Sequence, residues 1–590
     1  MSKPRKRKSA KITPYLPEIF APIANKPPLS SVATQLSASL VTENPTVSQT
    51  PPPEPIIAIK TEVDAVQTWE QRLGELALAY HSLWLGLIVV LAAGLRLFNL
   101  GLRSVWYDES FSLVLANRDP GTILTATAHD YHPPLWYLLL WLWEKLFGLD
   151  LIAARCLSVG WGVATVALLY LLAQKLFGSR TALLAALLAA LAPFEILYSQ
   201  EVRMYSFDGF LGVLLVYVFY RAYRFDTRLD WCWFGLVATL ALYTLYFSVF
   251  GLVALDIFFV GAVWFSRTQK KWPRTKIWHW LVANLIIAVL YLPWLIAMLG
   301  QVARVQKAYW IQRPNPLEFL RLFDIYLFNT TNLTVPLWLA TLGLILSAIV
   351  FVILFNSLRF KLRRSEKGRY RRSFELSLML AYWLLPVLIV FVVSYLFGPI
   401  YLERSLIAFA APVYILLARV VQVAHRPRRW LFLLVPGCLI IVAALGYYYS
   451  SRFYSQHYEL EPAATYLEAR YQPGDIVIHS NKLSYLPFVY LKVPGAQFLI
   501  PEQPDSPHND LSVQTAQAIT LSYTPIAEIL AKVRPNQRVW VVVTDPQPDT
   551  DPQWWAKTGQ SWLEQQHYKL LSQTPDTMFW GETVLLYAPG

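Results

Sequence analysis

Residues 133–147 read Pro-Pro-Leu-Trp-Tyr-Leu-Leu-Leu-Trp-Leu-Trp-Glu-Lys-Leu-Phe, and the path of this stretch decides how the whole chain is threaded. It is apolar enough to suggest a membrane span, but it has only fifteen residues, opens with two prolines and carries Glu144 and Lys145. A helix needs about twenty apolar residues to cross a hydrocarbon layer of about 30 Å. The stretch is therefore predicted to be a re-entrant or interfacial helix.

The rest of the chain has the composition of a helical membrane protein. Its 590 residues are 55% hydrophobic and 15% aromatic, and the apolar residues gather into runs of about twenty. The net charge of +13 comes from Lys and Arg clusters between these runs, so it indicates topology and not nucleic-acid binding. Cys156, Cys232 and Cys438 fall inside apolar segments without ligand spacing, which predicts neither a disulfide framework nor a zinc site.

The positive-inside rule tests the threading. If residues 133–147 do not cross, about eleven spans alternate between the two sides of the membrane, and every Lys and Arg cluster falls in the cytoplasm. If residues 133–147 do cross, all of those clusters fall on the exterior side of the membrane. The predicted spans are 81–100, 152–174, 181–198, 204–222, 231–247, 248–266, 278–299, 336–357, 374–397, 405–422 and 430–449. The N-terminus is then cytoplasmic, and a large first loop, 101–151, is exterior.

Three domains follow from this pattern. Residues 1–65 begin with a basic cluster and continue rich in Pro, Ser and Thr, which predicts a disordered cytoplasmic tail. Residues 66–450 form the membrane domain. Residues 451–590 contain short β-like runs between plausible helices, which predicts a small exterior α/β domain. That domain has no catalytic motif, so binding or shielding is its expected role.

Asp108 and Glu109 are the first candidates for chemistry. They stand just after the first span, where carboxylates are costly unless they face water, a partner or a substrate. Adjacent residues point to different sides of a helix or strand, so one can act as a base while the other positions it. The alternative is that both are ordinary loop acids at a membrane surface.

A second group of candidates lies at the start of the fourth predicted span. Glu201, Tyr205 and Asp208 have i, i+4, i+7 spacing and share one helix face, with Arg203 beside them. The acids could instead only complement the helix dipole. Arg404, which opens a late span, could anchor that span by snorkelling or bind a phosphate with its planar fork.

His132 is the third kind of candidate. It could carry a proton, donate to a phosphate or, with Asp130, form half of a metal site. A lone Asp-x-His is weak evidence for a metal ligand pair. The sequence therefore predicts no metal site and no definite cofactor, and it leaves open the binding of a divalent metal ion.

Five stretches, in this order, give the chain a specific resemblance. They are Trp-Tyr-Asp-Glu-Ser-Phe-Ser at 106–112, Tyr-His-Pro-Pro-Leu-Trp-Tyr at 131–137, Lys-Leu-Phe-Gly-Ser-Arg at 175–180, Tyr-Ser-Gln-Glu-Val-Arg-Met-Tyr-Ser at 198–206 and Tyr-Leu-Glu-Arg-Ser-Leu-Ile-Ala-Phe-Ala-Ala-Pro at 401–412. Over residues 81–425 the chain resembles the polyprenyl-phosphate-sugar-dependent GT-C glycosyltransferases. It is most similar to the family 39 branch, which includes protein O-mannosyltransferases and lipid A aminoarabinose transferases.

The resemblance implies roles for the acids. Asp108 matches the acid of the family's first-loop Asp-Glu motif, which implies a general base or an organiser of the reaction centre, with Glu109 as its neighbour. Asp208 matches a second acid of that centre. Glu201 and Tyr205 are grouped with the donor phosphate or sugar.

The resemblance also implies a phosphate site. His132 stands where the mannosyltransferases have His-Pro-Pro and the aminoarabinose transferases have a Lys, and Arg203 and Arg404 match basic positions near the donor phosphate. Because this chain departs from the Lys pattern, lipid A is not the implied acceptor. The implied fold is GT-C: an all-α polytopic membrane protein with about eleven transmembrane helices and a small α/β C-terminal domain.

The predicted function is transfer of a sugar from a polyprenyl-phosphate donor to an acceptor outside the cytoplasmic membrane, with inversion. Its partners would be the lipid-linked donor, an acceptor of unknown class and membrane lipid, with no nucleic acid. A transporter or flippase of lipid-linked glycans is the alternative. A transporter is expected to have inverted repeats and charged residues near the bilayer midplane, whereas the acids of this chain lie at the ends of the predicted spans. A non-catalytic member that binds a glycolipid is a third possibility.

Overall fold

We describe the fold from a computed structural model. It describes residues 80–268, 274–305, 311–333, 335–363, 370–422, 428–450, 460–501, 511–534, 536–544, 561–574 and 582–590. The predicted disordered tail, 1–65, lies outside these residues. The described part of the chain belongs to one compact unit, Glu70–Gly590.

The membrane domain consists of helices, and each predicted span coincides with one helix or one bent pair. The helices are α1 (His81–Leu97), α2 (Tyr107–Ala116), α3 (Pro120–His129), α4 (Leu135–Phe147), α5 (Leu151–Phe177), α6 (Ser179–Leu191), α7 (Pro193–Ser199), α8 (Tyr205–Phe225), α9 (Arg228–Leu242), α10 (Ser248–Thr268), α11 (Arg274–Val305), α12 (Glu318–Leu327), α13 (Leu337–Arg363), α14 (Tyr370–Leu396), α15 (Ala411–Gln422) and α16 (Arg428–Tyr448). A 3₁₀ helix, Glu403–Phe409, precedes α15. The predicted multi-span helical architecture is confirmed.

Among the described helices, fewer are long and apolar enough to span a membrane than the hydropathy pattern predicts. By length and composition, five described helices are long and apolar enough to cross, or seven if each bent pair counts as one. The bent pairs are α6 with α7, at 59°, and the 3₁₀ helix with α15, at 53°. Helix α1 and residues 434–448 of α16 are apolar but shorter. Helix α9 has 15 residues, and α8, although it has 21 residues, is not among the candidate spans.

Helix α4 has thirteen residues and is not among the candidate spans. At 1.5 Å per residue it extends about 20 Å, less than the hydrocarbon thickness. Trp136, Tyr137 and Leu140 are buried on one face, while Leu146 and Phe147 are exposed. The length and the two-sided character of α4 agree with an interfacial helix.

A buried arginine holds the bend between α6 and α7. Proline at position 193 begins α7, and the last carbonyls of α6 lose their helical partners there. Arg96 of α1 donates to the carbonyl oxygens of Ala189 and Ala190 at 3.3 and 3.2 Å, and its Nε donates to Ser199 Oγ at 3.1 Å. The guanidinium therefore replaces the missing partners and fixes α1 to the segment that precedes Arg203.

The C-terminal domain is a mixed five-stranded sheet with helices. Its elements are α17 (Leu460–Glu468), β1 (Ile476–His479), α18 (Lys482–Leu491), β2 (Ala496–Leu499), α19 (Val513–Ala518), α20 (Ile526–Lys532), β3 (Val539–Thr544), α21 (Ser561–Gln565), β4 (Tyr568–Gln573) and β5 (Glu582–Pro589). The strand order is β2-β1-β3-β5-β4, with β1 parallel to β2 and β3, and β5 antiparallel to β3 and β4. The predicted small C-terminal domain of strands and helices is confirmed.

This domain packs on the helices of the first loop. Helix α18 packs along α2, and α19 packs against α3. Apolar side chains of α18 and α19, including Leu486 and Ala516, belong to the same buried cluster as Leu113 and Ile123 of the first loop. The C-terminal domain and the first loop therefore share a core.

Candidate active site

The adjacent acids of α2 point in different directions. Asp108 and Glu109 lie in the first turn of the helix, where carboxylates complement the helix dipole. Successive residues of a helix are rotated by about 100°. Asp108 consequently lies beside Arg203 and Arg404, whereas Glu109 turns inward to Arg155.

Glu109 and Arg155 form a fully buried, bidentate ion pair. Arg155 Nε donates to Oε1 at 2.9 Å and Nη2 donates to Oε2 at 2.7 Å, while the backbone N–H of Val202 also donates to Oε1. Burial alone would raise the pKa of Glu109, but the charge and hydrogen bonds of Arg155 outweigh it and lower that pKa. Nη1 of Arg155 further donates to the carbonyl oxygens of Leu100 and Arg103. The pair therefore fastens α2, the start of the first loop and the residues around Val202 to α5.

The carboxylate of Asp108 lies between two guanidinium groups. Its Oδ2 is 3.8 Å from Nε of Arg203 and 3.9 Å from Nη1 of Arg404. The Asp108 side chain is 17% exposed, so it can be reached from outside. These separations exceed the length of a direct hydrogen bond, so Asp108 is held here by the charges of the two guanidiniums.

Arg203 links Asp108 to His132. Its Nη2 and His132 Nε2 are 2.9 Å apart, and its Nη1 is 3.4 Å from the hydroxyls of Ser112 and Tyr137. Because guanidinium can only donate, His132 Nε2 is the acceptor and the ring proton belongs on Nδ1. Burial, followed by the charges of Arg203 and Arg404, holds the pKa of His132 well below its ordinary range. His132 is thus a neutral partner of Arg203.

Arg404 reaches the site from the 3₁₀ helix. Its guanidinium carbon lies 5.7 Å from the centre of the Tyr205 ring, a cation–π contact that orients the side chain. The neighbouring Glu403 pairs with Arg321 of α12 at 3.4 Å. The hydroxyl of Tyr401 donates to the carbonyl oxygen of Glu318, also in α12. Helix α12 therefore supports the segment that carries Arg404.

Glu201 has a partner in the first loop. Its Oε1 is 3.3 Å from Nη2 of Arg103. Burial raises the pKa of Glu201 from its ordinary value, and Arg103 opposes that shift. The other oxygen, Oε2, is buried without a hydrogen-bond partner among the described residues. Glu201 therefore borders the cluster and ties the residues before α8 to the first loop.

Asp208 faces a different neighbour. It is fully buried, and its Oδ1 accepts a hydrogen bond of 2.6 Å from Ser248 Oγ at the start of α10. Its Oδ2 has no hydrogen-bond partner among the described residues. The structure thus brings Asp108, His132, Arg203 and Arg404 into one connected cluster, while Asp208 contacts Ser248.

The described residues contain no group of three or more His, Cys, Asp or Glu side chains that could hold a metal ion. His132, the one imidazole of the Asp-x-His motif, uses Nε2 to accept from Arg203. A guanidinium at that nitrogen occupies the lone pair that a metal would need.

Sequence reasoning missed three side chains of this site. Arg155 lies near the start of the predicted span 152–174, where an arginine inside an apolar segment indicates a buried partner, and that signal could have paired it with an acid. Tyr137 belongs to the predicted interfacial helix, which gives no hint of a site residue, yet its hydroxyl is 3.4 Å from Nη1 of Arg203. Arg103 gave no signal that distinguishes it from a loop cation.

Comparisons with known proteins show a family and a fold that this chain resembles. Residues 131–296 match the family described as dolichyl-phosphate-mannose-protein mannosyltransferase. The chain is similar in fold to the apo structure of ArnT from Cupriavidus metallidurans, with a TM-score of 0.54 and 13% identity over 86% of this chain and 98% of that one. The chain is therefore similar to this mannosyltransferase family over residues 131–296, and its fold is similar to that of ArnT. The predicted resemblance and the predicted enzyme class are thereby confirmed.

Two further solved structures are similar to this chain. ArnT from the same organism bound to undecaprenyl phosphate is similar with a TM-score of 0.53 and 13% identity, covering 85% of this chain and 98% of that one. AglB from Archaeoglobus fulgidus, in complex with an inhibitory peptide and a dolichol-phosphate, has a TM-score of 0.46 and 14% identity over 79% of this chain and 69% of that one. No curated protein sequence matches this chain.

Proposed function

We propose that this glycosyltransferase moves a sugar from a polyprenyl-phosphate carrier to an acceptor at the exterior surface of the cytoplasmic membrane. The observation that carries the proposal is the placement of Asp108 within 4 Å of both Arg203 and Arg404. A base and two phosphate-binding cations are the groups that this reaction needs in one place.

The charges of the cluster suit a phosphodiester. Glu109 is paired with Arg155, and Glu201 is paired with Arg103, so neither acid adds a free negative charge. Two guanidiniums and one carboxylate remain beside the neutral His132. Arg203 and Arg404 would hold the donor phosphate with planar, always charged forks. The ArnT structure bound to undecaprenyl phosphate supports a polyprenyl carrier for this fold.

The transfer would take place in one displacement. The acceptor oxygen attacks the anomeric carbon while Asp108 takes its proton, and the bond between that carbon and the phosphate oxygen breaks. The electron pair leaves with the polyprenyl phosphate, whose growing negative charge Arg203 and Arg404 stabilise. One displacement inverts the anomeric centre. Glu109 would position α2, and Asp208, which contacts Ser248, would support the centre from α8.

The finer topology is part of the proposal. About eleven spans, a cytoplasmic N-terminus, and an exterior first loop and C-terminal domain would place every basic loop in the cytoplasm. The shortness of α4 supports this threading, because a crossing at α4 would invert all downstream loops.

Cysteine labelling tests the orientation. In a variant without Cys156, Cys232 and Cys438, a cysteine at the exposed Thr125 should react with an impermeant reagent from outside intact cells. A cysteine at Ser365, in the basic stretch of sequence 359–372, should react only after the cells are opened. Labelling of both positions from the same side would contradict the threading.

A donor assay tests the function. Purified protein should release polyprenyl phosphate when it is given a pool of polyprenyl-phosphate sugars and cell-envelope extract. In cells without the protein, mass spectrometry should find one sugar missing from the envelope.

Arg404→Ala should raise the KM for the donor about 10- to 100-fold, since a hydrogen bond to a charged group contributes about 1.5–3 kcal/mol.

The control is Arg221→Ala, which removes an arginine that is half exposed and paired with Asp230. It should leave the donor KM unchanged. Vectorial movement of intact lipid-linked sugar without its cleavage would replace this proposal by the transporter alternative.

A further inference from the structure

Lys482 is an unusual lysine for a small α/β domain. It is 2% exposed, and lysines are rarely buried to this extent. It is also the first residue of α18, where a cation opposes the helix dipole. The residue therefore stands against two local preferences, and such exceptions concentrate at sites with a function.

The ammonium group of Lys482 lies against the first loop. Its Nζ is 5.7 Å from the centre of the Tyr107 ring. Tyr107 begins α2 and directly precedes Asp108. A cation above an aromatic face gives an attraction of about 0.5–2 kcal/mol, which increases as water is excluded. The C-terminal domain therefore touches the chain one residue before the proposed base.

The first turn of α2 needs support from outside the helix. Its N-cap residue, Trp106, makes no side-chain hydrogen bond to the helix. An uncapped first turn leaves backbone N–H groups without partners and frays more readily. Asp108 lies in this turn, so any movement there changes its distance to Arg203 and Arg404.

The remaining contacts of the C-terminal domain extend this support. Leu486 of α18 is buried in the same cluster as Leu113 of α2. Arg118, just after α2, donates from Nε to the carbonyl oxygen of Ala518 at 2.8 Å. The hydroxyl of Thr515 donates to the carbonyl oxygen of Ala126 in α3 at 3.1 Å. Helices α18 and α19 thus hold both helices that follow the first span.

We propose that the C-terminal domain is part of the catalytic unit, with Lys482 as a positioning residue that holds Tyr107, and through it Asp108, in place. This inference rests on the proposed function because it assigns a purpose to the position of the base. It differs from shielding or acceptor binding, which place no constraint on α2. Misplacement of a reacting group by about 1 Å can cost 100-fold in rate, so small movements are enough.

The experiment compares Lys482→Met, Lys482→Arg and the matched control Lys532→Met in the full-length protein. Lys532 is an exposed lysine of the same domain that pairs with Glu528. Two quantities are measured: the kcat and donor KM for sugar transfer, and the hydrogen exchange of residues 107–116 in the ligand-free protein. Lys482→Met should lower kcat about 10-fold at unchanged donor KM and speed the exchange of α2.

Lys482→Arg should keep kcat and the hydrogen exchange of α2 close to the wild-type values, because arginine keeps a cation over the Tyr107 ring. Equal behaviour of Lys482→Met and Lys532→Met in both measurements would overturn the inference, as would a change in donor KM alone. If Lys482→Met does not fold, Tyr107→Leu removes the ring while keeping the lysine and is judged by the same criteria. Faster exchange in a protein whose wild type transfers no sugar would support the positioning role and reject the proposed function.

Discussion

Asp108→Asn is expected to lower kcat by at least about 100-fold while leaving donor binding intact or tighter. General-base catalysis contributes about 10²–10⁴ in rate, and an amide cannot take the acceptor proton. The same change removes the negative charge that lies 3.8 and 3.9 Å from the two phosphate-binding arginines. Those arginines then have more positive charge available for the donor phosphate. Turnover and binding of polyprenyl phosphate should therefore move in different directions.

The matched control is Asp119→Asn in the same loop. Asp119 caps α3 by accepting from the N–H of Thr122, and asparagine caps a helix equally well. Its turnover should equal that of the wild type. If Asp108→Asn keeps full turnover with a polyprenyl-phosphate sugar, Asp108 is not the base. If it loses donor binding and turnover together, its role is structural.

Arg155→Met is expected to lower the free energy of unfolding by about 3–5 kcal/mol. The change leaves Glu109 buried without its counter-charge, and breaking a buried pair from one side costs about this much. Glu109→Leu should cost a similar amount for the same reason. The double variant should be less unstable than the sum of the two, since neither buried charge remains. Recovery should be partial, because the carbonyl oxygens of Leu100 and Arg103 still lose their donor.

Thermal or denaturant unfolding in detergent measures these values. Lys532→Met is the control, because Lys532 and its partner Glu528 are both exposed and such pairs contribute little. Single variants that are as stable as this control would show that the Glu109–Arg155 pair does not hold the first loop. Additive effects in the double variant would show that the two side chains act independently.

The helices were predictable because hydrophobic run length is a local property of the sequence. Each predicted span has a helix, and even the thirteen residues of α4 follow from its prolines and charged end. The bends before Pro193 and after Phe409 were not predicted, since each depends on what replaces the lost helical hydrogen bonds. For the first bend that partner is Arg96, which comes from a distant helix.

The sequence predicted which residues belong to the candidate site better than it predicted which of them contact each other. The motifs led to Asp108, His132, Arg203 and Arg404, which the structure brings together. Adjacency also predicted that Asp108 and Glu109 diverge. The choice of Arg155 as partner of Glu109 depends on tertiary packing, and helix spacing cannot reveal it. The cation–π contact of Lys482 with Tyr107 joins two domains, so no local pattern announces it.

The arginine at the bend of α6 and α7 also has a consequence for how the protein is made. Arg96 belongs to α1, the first of the described helices in chain order, but its partners Ala190 and Ser199 follow 94 and 103 residues later. A guanidinium without a partner is costly in lipid, so α1 is not stable in the lipid interior on its own. Translocation of the nascent chain must keep this helix in a wet or proteinaceous environment until its later neighbours arrive.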